Sequence, residues 1–355
     1  MACTTILVGK NASYDGSTMI ARNDDSGSGH FTAKKFVVVK PEELPAVYQS
    51  VISHVQIPLP GAGQAMRMTA MPNAVAGKGI WAASGVNAAN VGMTATETIT
   101  SNPRDAFGSH DDSDHVYNTP RAWFMLRYLN PNTWAWDGPD ADYTPRSDDL
   151  PWCMVPERKV TPEDVKYLLS SHYQGTPYDP YASYGDKSMK GAYRSIGINR
   201  NDFMALIQMR PDVPRDFRAV EWIAYASNAF NTMVPFYANV DTTPAYLACT
   251  TGEVSTDSFY WVSRMIAAMA DAAYGKSIFH IERYEEAVLS ATRALLHEYD
   301  EKQRSAFDPA ARAALREEAN EAIAKALKAR AADTLDKVLF ELSCNMKNAY
   351  SRSDA

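Results

Sequence analysis

Residues 3–25 read CTTILVGKNASYDGSTMIARNDD, and their pattern sets the architecture of the first third of the chain. Residues 4–9 are β-branched and apolar, residues 11–16 carry turn chemistry with Asp15-Gly16 as its strongest signal, and residues 17–23 alternate again. This is a strand–turn–strand unit. If Lys10 faces Ser17 across the turn, Thr5 faces Arg22 and Cys3 faces Asp24. Cys3 and Arg22 then share one face of the ladder, a diagonal step apart. A slip of one residue exchanges the faces.

Further strands are expected at 36–39, 50–59 and 91–99, the last being the alternating VGMTATETI. Residues 101–160 are rich in Pro, Asp, Asn and Trp and read as loop around one helix at 120–129. Thr161-Pro162-Glu163-Asp164 starts a helix to about 173. Strands follow at 204–209 and 220–225, then a helix at 256–273. From 282 to 299 and from 309 to 348, Ala, Leu, Glu, Lys and Arg dominate at helical spacing. These read as a solvated helical hairpin or, more sharply, as a contact between copies in a homo-oligomer.

The 355 residues are 46% apolar and 22% charged, enough for a large core without staples. A net charge of −7 argues against nucleic acid and against an anionic membrane surface as partners. No run approaches the ~20 apolar residues of a membrane span. The four cysteines are far apart with no CxxC pair, and the first residues lack a signal-peptide pattern, so a reducing cytoplasm and free thiols are expected.

Cys3 carries the strongest chemical signal. A cysteine exposed as the first residue of a mature chain offers a thiolate nucleophile and, on the same carbon, an α-amine with a pKa of about 8 that can serve as general base. Arg22 on the same face would lower the thiol pKa and polarise an acyl substrate. Asp25 is placed to anchor the α-ammonium. The bland reading is a small buried cysteine beside a solvated turn.

The whole stretch 3–25 resembles the start of the cysteine dipeptidases of family C69, typified by Lactobacillus-type dipeptidase A, which are N-terminal-nucleophile (Ntn) hydrolases. The resemblance continues through KKFVVVK (34–40), SVISHV (50–55), residues 79–99 with GVNAANVGMTATETI, residues 105–131, YRSIGINRNDF (193–203), SNAFNTMVPFY (227–237), STDSFYWVSRMIAAMADA (255–272) and MKNAYSRSDA (346–355). It implies an α+β fold, an Ntn-hydrolase-like αββα sandwich of antiparallel sheets, with residues 1–274 as catalytic domain and 275–355 as a helical C-terminal extension. It also implies hydrolysis of dipeptides with no metal or organic cofactor. Cys3 matches the nucleophile, and Arg22 and Asp25 match the Arg and Asp beside it. An oxyanion or substrate contact is implied on the strand 91–99, where Thr96 and Glu97 are the nearest polar side chains and the sequence does not choose between them. Arg121, in YNTPRAW, is a weaker match to a later active-site arginine and equally suits a helix start.

Two departures bear on activity. Met1 and Ala2 precede Cys3 and must be removed to expose its amine. At Asn102-Pro103-Arg104 the chain joins two halves that the family separates by further sheet strands, with a second oxyanion-hole asparagine among them. Two rival functions follow: an impaired family member serving as an oligomeric scaffold, or an amidase of the same chemistry acting on N-acyl amino acids. His110, Asp111, Asp112, Asp114 and His115 offer metal-binding residue types, but the histidine spacing of five does not suit one helix face, and a polar loop is the expectation.

Overall fold

The structure is a computed structural model that describes residues 3–50, 53–61, 63–95 and 112–347. Its elements run β1 (Thr5–Val8), β2 (Thr18–Asp25), β3 (Val37–Val39), β4 (Val47–Gln49), β5 (Gln56–Pro58), β6 (Met68–Ala70), β7 (Ser84–Val86), β8 (Gly92–Thr94), α1 (Asp114–Tyr117), α2 (Thr119–Leu129), α3 (Pro162–Leu169), β9 (Asn201–Met209), β10 (Ala219–Tyr225), β11 (Val234–Tyr237), α4 (Ala245–Ala248), α5 (Phe259–Ala272), α6 (Tyr274–Ser305) and α7 (Pro309–Cys344). The class is α+β with antiparallel sheets and a helical C-terminal region.

The centre is a five-stranded antiparallel sheet in the order β1-β2-β9-β10-β11. The first hairpin turns through Gly16, whose φ of 73° lies in the left-handed region that glycine enters without steric cost. Strands β9 and β10 are buried on both faces, so their sequences read as near-continuous apolar runs rather than alternating ones. Along β2 the pleat sorts the side chains. Met19 and Ala21 join Met204, Leu206 and Trp222 in a core closed by α2 and α3. Ile20, Arg22 and Asp24 point the other way, opposite Ile207, Ala205 and Phe203.

That second face is covered by α5 and by two-stranded ribbons, β3–β6 and β7–β8. The strand expected at 50–59 is instead a hairpin, β4 paired with β5. Gly92 lets β8 rest directly on β9: a Cβ there would stand 2.7 Å from a methyl of Ile207.

Helices α6 and α7 form a hairpin started by Asp308, whose carboxylate accepts from the N–H groups of Ala310 and Ala311, with Pro309 in the first turn. The pair is not simply solvated. Ile281, Tyr284, Val288, Ile323 and Leu327 enter the core beneath α5. Asn320 of α7 accepts from the Tyr237 N–H at 2.8 Å and donates to its carbonyl at 3.0 Å, covering the open edge of β11. Helix α6 also begins eight residues before the expected 282, at Tyr274.

Candidate active site

The register of the first hairpin brings the candidate residues together. Thr5 pairs with Arg22, and the Asn23 N–H donates to the Thr4 carbonyl at 3.0 Å, continuing the ladder toward Cys3. Arg22 Nη2 then donates to Cys3 Sγ at 3.3 Å, and the Asp25 N–H reaches the same sulfur at 3.5 Å. Cys3 is half-buried, whereas Cys153, Cys249 and Cys344 are exposed. Burial pushes the Cys3 thiol up; the Arg22 charge pulls it back, and the Asp25 carboxylate works against that pull.

Arg22 is fully buried. Besides the sulfur, its Nη2 holds Asp24 Oδ1 at 2.5 Å, and its Nε donates to the Asn23 carbonyl at 3.3 Å. The other oxygen of Asp24 accepts from Lys34 Nζ at 2.9 Å, and Trp81 Nε1 donates to Oδ1 at 3.3 Å. Both cations also lie near the Phe203 ring, Lys34 at 5.6 Å and Arg22 at 6.0 Å from its centre.

Asp25 is buried, with its carboxylate turned to a second set of cations. One oxygen accepts from Arg194 Nη2 at 2.8 Å and the other from Asn201 Nδ2. Burial pushes its carboxyl up, opposed by the charges of Arg121, Arg194 and Arg200. Arg121 comes from the first turn of α2, where its guanidinium donates to Thr4 Oγ1 at 3.1 Å and to the Ser195 carbonyl at 3.4 Å. It therefore braces the residue next to Cys3.

Asn23, on the opposite face of β2, ties this strand to the layer behind it. Its amide donates to the carbonyls of Leu169 at 2.7 Å and Ile196 at 3.1 Å, while its oxygen accepts from Asn228 Nδ2 at 2.8 Å. Asp202 receives Ser26 Oγ at 2.5 Å and the Thr32 N–H at 2.7 Å, and burial pushes its pKa up to about 7.

Thr96 and Glu97 lie outside the described residues, as do His110 and Asp111. His115 pairs with Asp148 at 2.7 Å, and Asp114 accepts from the Asn118 amide. Among the described residues no group of three or more His, Cys, Asp or Glu side chains is arranged to hold a metal ion. No helix among them is long and apolar enough to cross a membrane.

Sequence reasoning set Asp24 opposite Cys3 but gave it no work, and it missed Lys34, Trp81, Arg194 and Asn201. Lys34 and Arg194 stand in motifs quoted above, yet nothing local separates the buried Lys34 from its neighbour Lys35. Chemically, the cluster offers a sulfur beside a fixed guanidinium, a combination suited to nucleophilic attack on a carbonyl.

The sequence pattern of Peptidase family C69 matches residues 2–104 and 101–287. A dipeptidase of Bifidobacterium longum (strain NCC 2705) is 38% identical in an alignment of 534 positions that takes in all of both chains. A probable dipeptidase A of Streptococcus pyogenes serotype M3 is 35% identical over 480 positions, again across both whole chains. Dipeptidase A of Lactobacillus helveticus is 30% identical over 431 positions, 85% of this chain and 89% of that protein.

Proposed function

The chain belongs to peptidase family C69, and on that premise we propose that it is a dipeptidase that cuts with Cys3. The observation that carries this reading is the 3.3 Å approach of Arg22 Nη2 to the Cys3 sulfur, on the face given by the Thr5–Arg22 register. Removal of Met1 and Ala2 frees the Cys3 α-amine. That amine takes the thiol proton as sulfur attacks the scissile carbonyl, and the carbonyl π electrons move onto oxygen. The amine then passes the proton to the leaving nitrogen as the C–N bond breaks, leaving a thioester. Water, deprotonated by the same amine, attacks the thioester, and the sulfur leaves as thiolate. The Arg22 charge favours the thiolate at the start and end of the cycle.

The same reading takes residues 1–274 as a catalytic unit of αββα Ntn type, with 275–355 as its helical extension. Its middle is shorter than in the Bifidobacterium dipeptidase. Two observations support that inference: the family-matched segments meet at 101–104, and an alignment of 534 positions exceeds the 355 residues available.

Dipeptide turnover, combined with N-terminal sequencing of the purified protein, tests the proposal. The expected result is a chain beginning at Cys3 whose activity survives chelator and is lost in Cys3→Ala. Undiminished turnover by Cys3→Ala would end it.

A further inference from the structure

The charges around the sulfur do not balance in the simplest way. Asp24 holds Arg22 Nη2 at 2.5 Å, on the nitrogen that also approaches Sγ. Taken alone, a buried carboxylate at that distance cancels the guanidinium as seen from the sulfur. A thiol beside a neutral pair gains little help in ionising. The second Asp24 oxygen, however, is taken by Lys34, whose side chain is 1% exposed and whose ammonium stands 2.9 Å away. Arg22, Asp24 and Lys34 together carry one net positive charge, in a site where little water screens it.

We propose that Lys34 is a positioning residue for the Cys3 thiolate: by neutralising Asp24, it leaves the charge of Arg22 available to the sulfur. Trp81 supports the same arrangement, donating from Nε1 to Asp24 Oδ1 and accepting from Lys34 Nζ at its carbonyl at 3.4 Å. Phe203 lies beneath both cations and closes the cluster from the sheet side.

Among the described residues, the other charged groups around the cluster are accounted for. Asp25 is occupied by Arg194 and Asn201, with Arg121 and Arg200 acting on it from the same side. Asp202 acts on Lys34 and Asp24 through space and is held by Ser26 and Thr32, while Arg264 lies 3.8 Å from it. Lys34 is thus the cation bound to Asp24 that does not itself touch the sulfur. The idea rests on the reading of Cys3 as nucleophile.

The test is the pH dependence of Cys3 alkylation by iodoacetamide, followed site by site by mass spectrometry in the full chain. The exposed Cys153, Cys249 and Cys344 serve as internal references. Lys34→Met should shift the Cys3 profile upward by about one pH unit while the reference profiles stay fixed. Asp24→Asn should shift it downward, the opposite sign. Lys34→Arg should restore the wild-type profile. In dipeptide assays, Lys34→Met should lower kcat more at neutral than at alkaline pH and leave KM close to wild type. Lys34→Gln, which keeps a donor for Asp24, stands in if the methionine variant does not fold. An unmoved Cys3 profile in a folded Lys34 variant overturns the proposal, as does a shift of the same sign in Asp24→Asn. Failure of the nucleophile reading looks different: Cys3→Ala would keep its turnover whatever the alkylation profiles show.

Discussion

Thr5 stands opposite Arg22 across the β1–β2 ladder, and this one pairing decides which side of the sheet the Cys3 sulfur occupies. A shift of one residue would send Arg22 into the apolar face shared by Met19 and Ala21 and leave the sulfur without its guanidinium. The ladder is held by the turn at Asp15-Gly16 on one side and by β9, paired along β2, on the other.

Arg22 is the first residue to test. Arg22→Gln removes the positive charge next to the sulfur and leaves Asp24 to Lys34 and the Trp81 indole N–H. We expect kcat on a dipeptide to fall by about 10²–10³, the usual cost of losing a preorganised electrostatic contact. Arg22→Lys keeps the charge but loses the rigid guanidinium, whose Nε holds the Asn23 carbonyl while Nη2 meets both Sγ and Asp24, so it should recover only part of the rate. Steady-state kinetics at matched folded fractions, checked by circular dichroism, decide the matter. Wild-type kcat in a folded Arg22→Gln would remove the guanidinium from the mechanism.

Asn23 and Asn228 should act as a unit in stability. Asn228→Ala removes a donor from the Asn23 oxygen and from the Leu169 carbonyl, which Asn228 Nδ2 also reaches at 3.2 Å. Asn23→Ala removes its bonds to the Leu169 and Ile196 carbonyls, which keep only the Asn228 amide and the Ile198 N–H as donors, and takes away the Asn23 oxygen to which Asn228 donates. Each loss should cost about 1–3 kcal/mol. The double variant should cost less than the sum, because the two side chains share one bond and one acceptor. Urea melts of the four proteins give the coupling, and strict additivity would count against a shared network.

Local pattern carried the reading of the first hairpin and of the last two helices, because a turn signal fixes a register and a long amphipathic run fixes a helix. The same rules ran past the end of α3. Its helical pattern extends to Tyr173, but the chain leaves the helix after Leu169, and Tyr173 takes a φ of 66°. The cause lies 27 residues away in sequence: Gly197 approaches so closely that a Cβ there would stand 2.3 Å from the Ser170 carbonyl oxygen. The early start of α6 has a similar origin. Gly275 and Ser277 weaken the helical signal, yet Ser277 is fully buried and packing holds the turn. In the site, Cys3, Arg22 and Asp25 were legible because they lie within one hairpin. Lys34, Arg194 and Asn201 reach it from loops and from β9, a relation that no spacing rule encodes.

Gly85 should be intolerant of any side chain. A Cβ at this position would lie 2.1 Å from the Thr69 carbonyl oxygen, where β7 passes over β6. Gly85→Ala must push the ribbons apart and disturb the Thr69 hydroxyl, which receives the Val86 N–H at 3.0 Å. Overpacking of this kind costs roughly 1–3 kcal/mol. Gly63→Ala is the matched control, since no atom of the described residues lies within 4 Å of where its Cβ would stand. Thermal melts should show a clear loss for Gly85→Ala and almost none for Gly63→Ala; equal melting points would mean that the two ribbons do not pack in this way.

Glu221 should make stability fall as pH rises. Its side chain is completely buried on β10; one oxygen accepts from the Thr69 hydroxyl and the other, Oε1, has no hydrogen-bond partner among the described residues. Burial pushes its pKa up to about 7, with the Thr69 bond opposing the rise. The folded state therefore binds this proton more tightly than the unfolded chain, where the group titrates near 4.3. The stability so contributed is fully present below about pH 4 and is lost as pH rises toward about 7. Above that the ionised carboxylate costs the fold roughly 4 kcal/mol. Glu221→Gln keeps the shape and removes the titration, so the variant should gain on the wild type steadily between about pH 5 and 7 and level off by about pH 8. Asp202, also pushed up to about 7, titrates in both proteins and cancels from the difference. Urea-unfolding free energies across that range provide the measurement, and parallel curves for the two proteins would show that Glu221 does not titrate there.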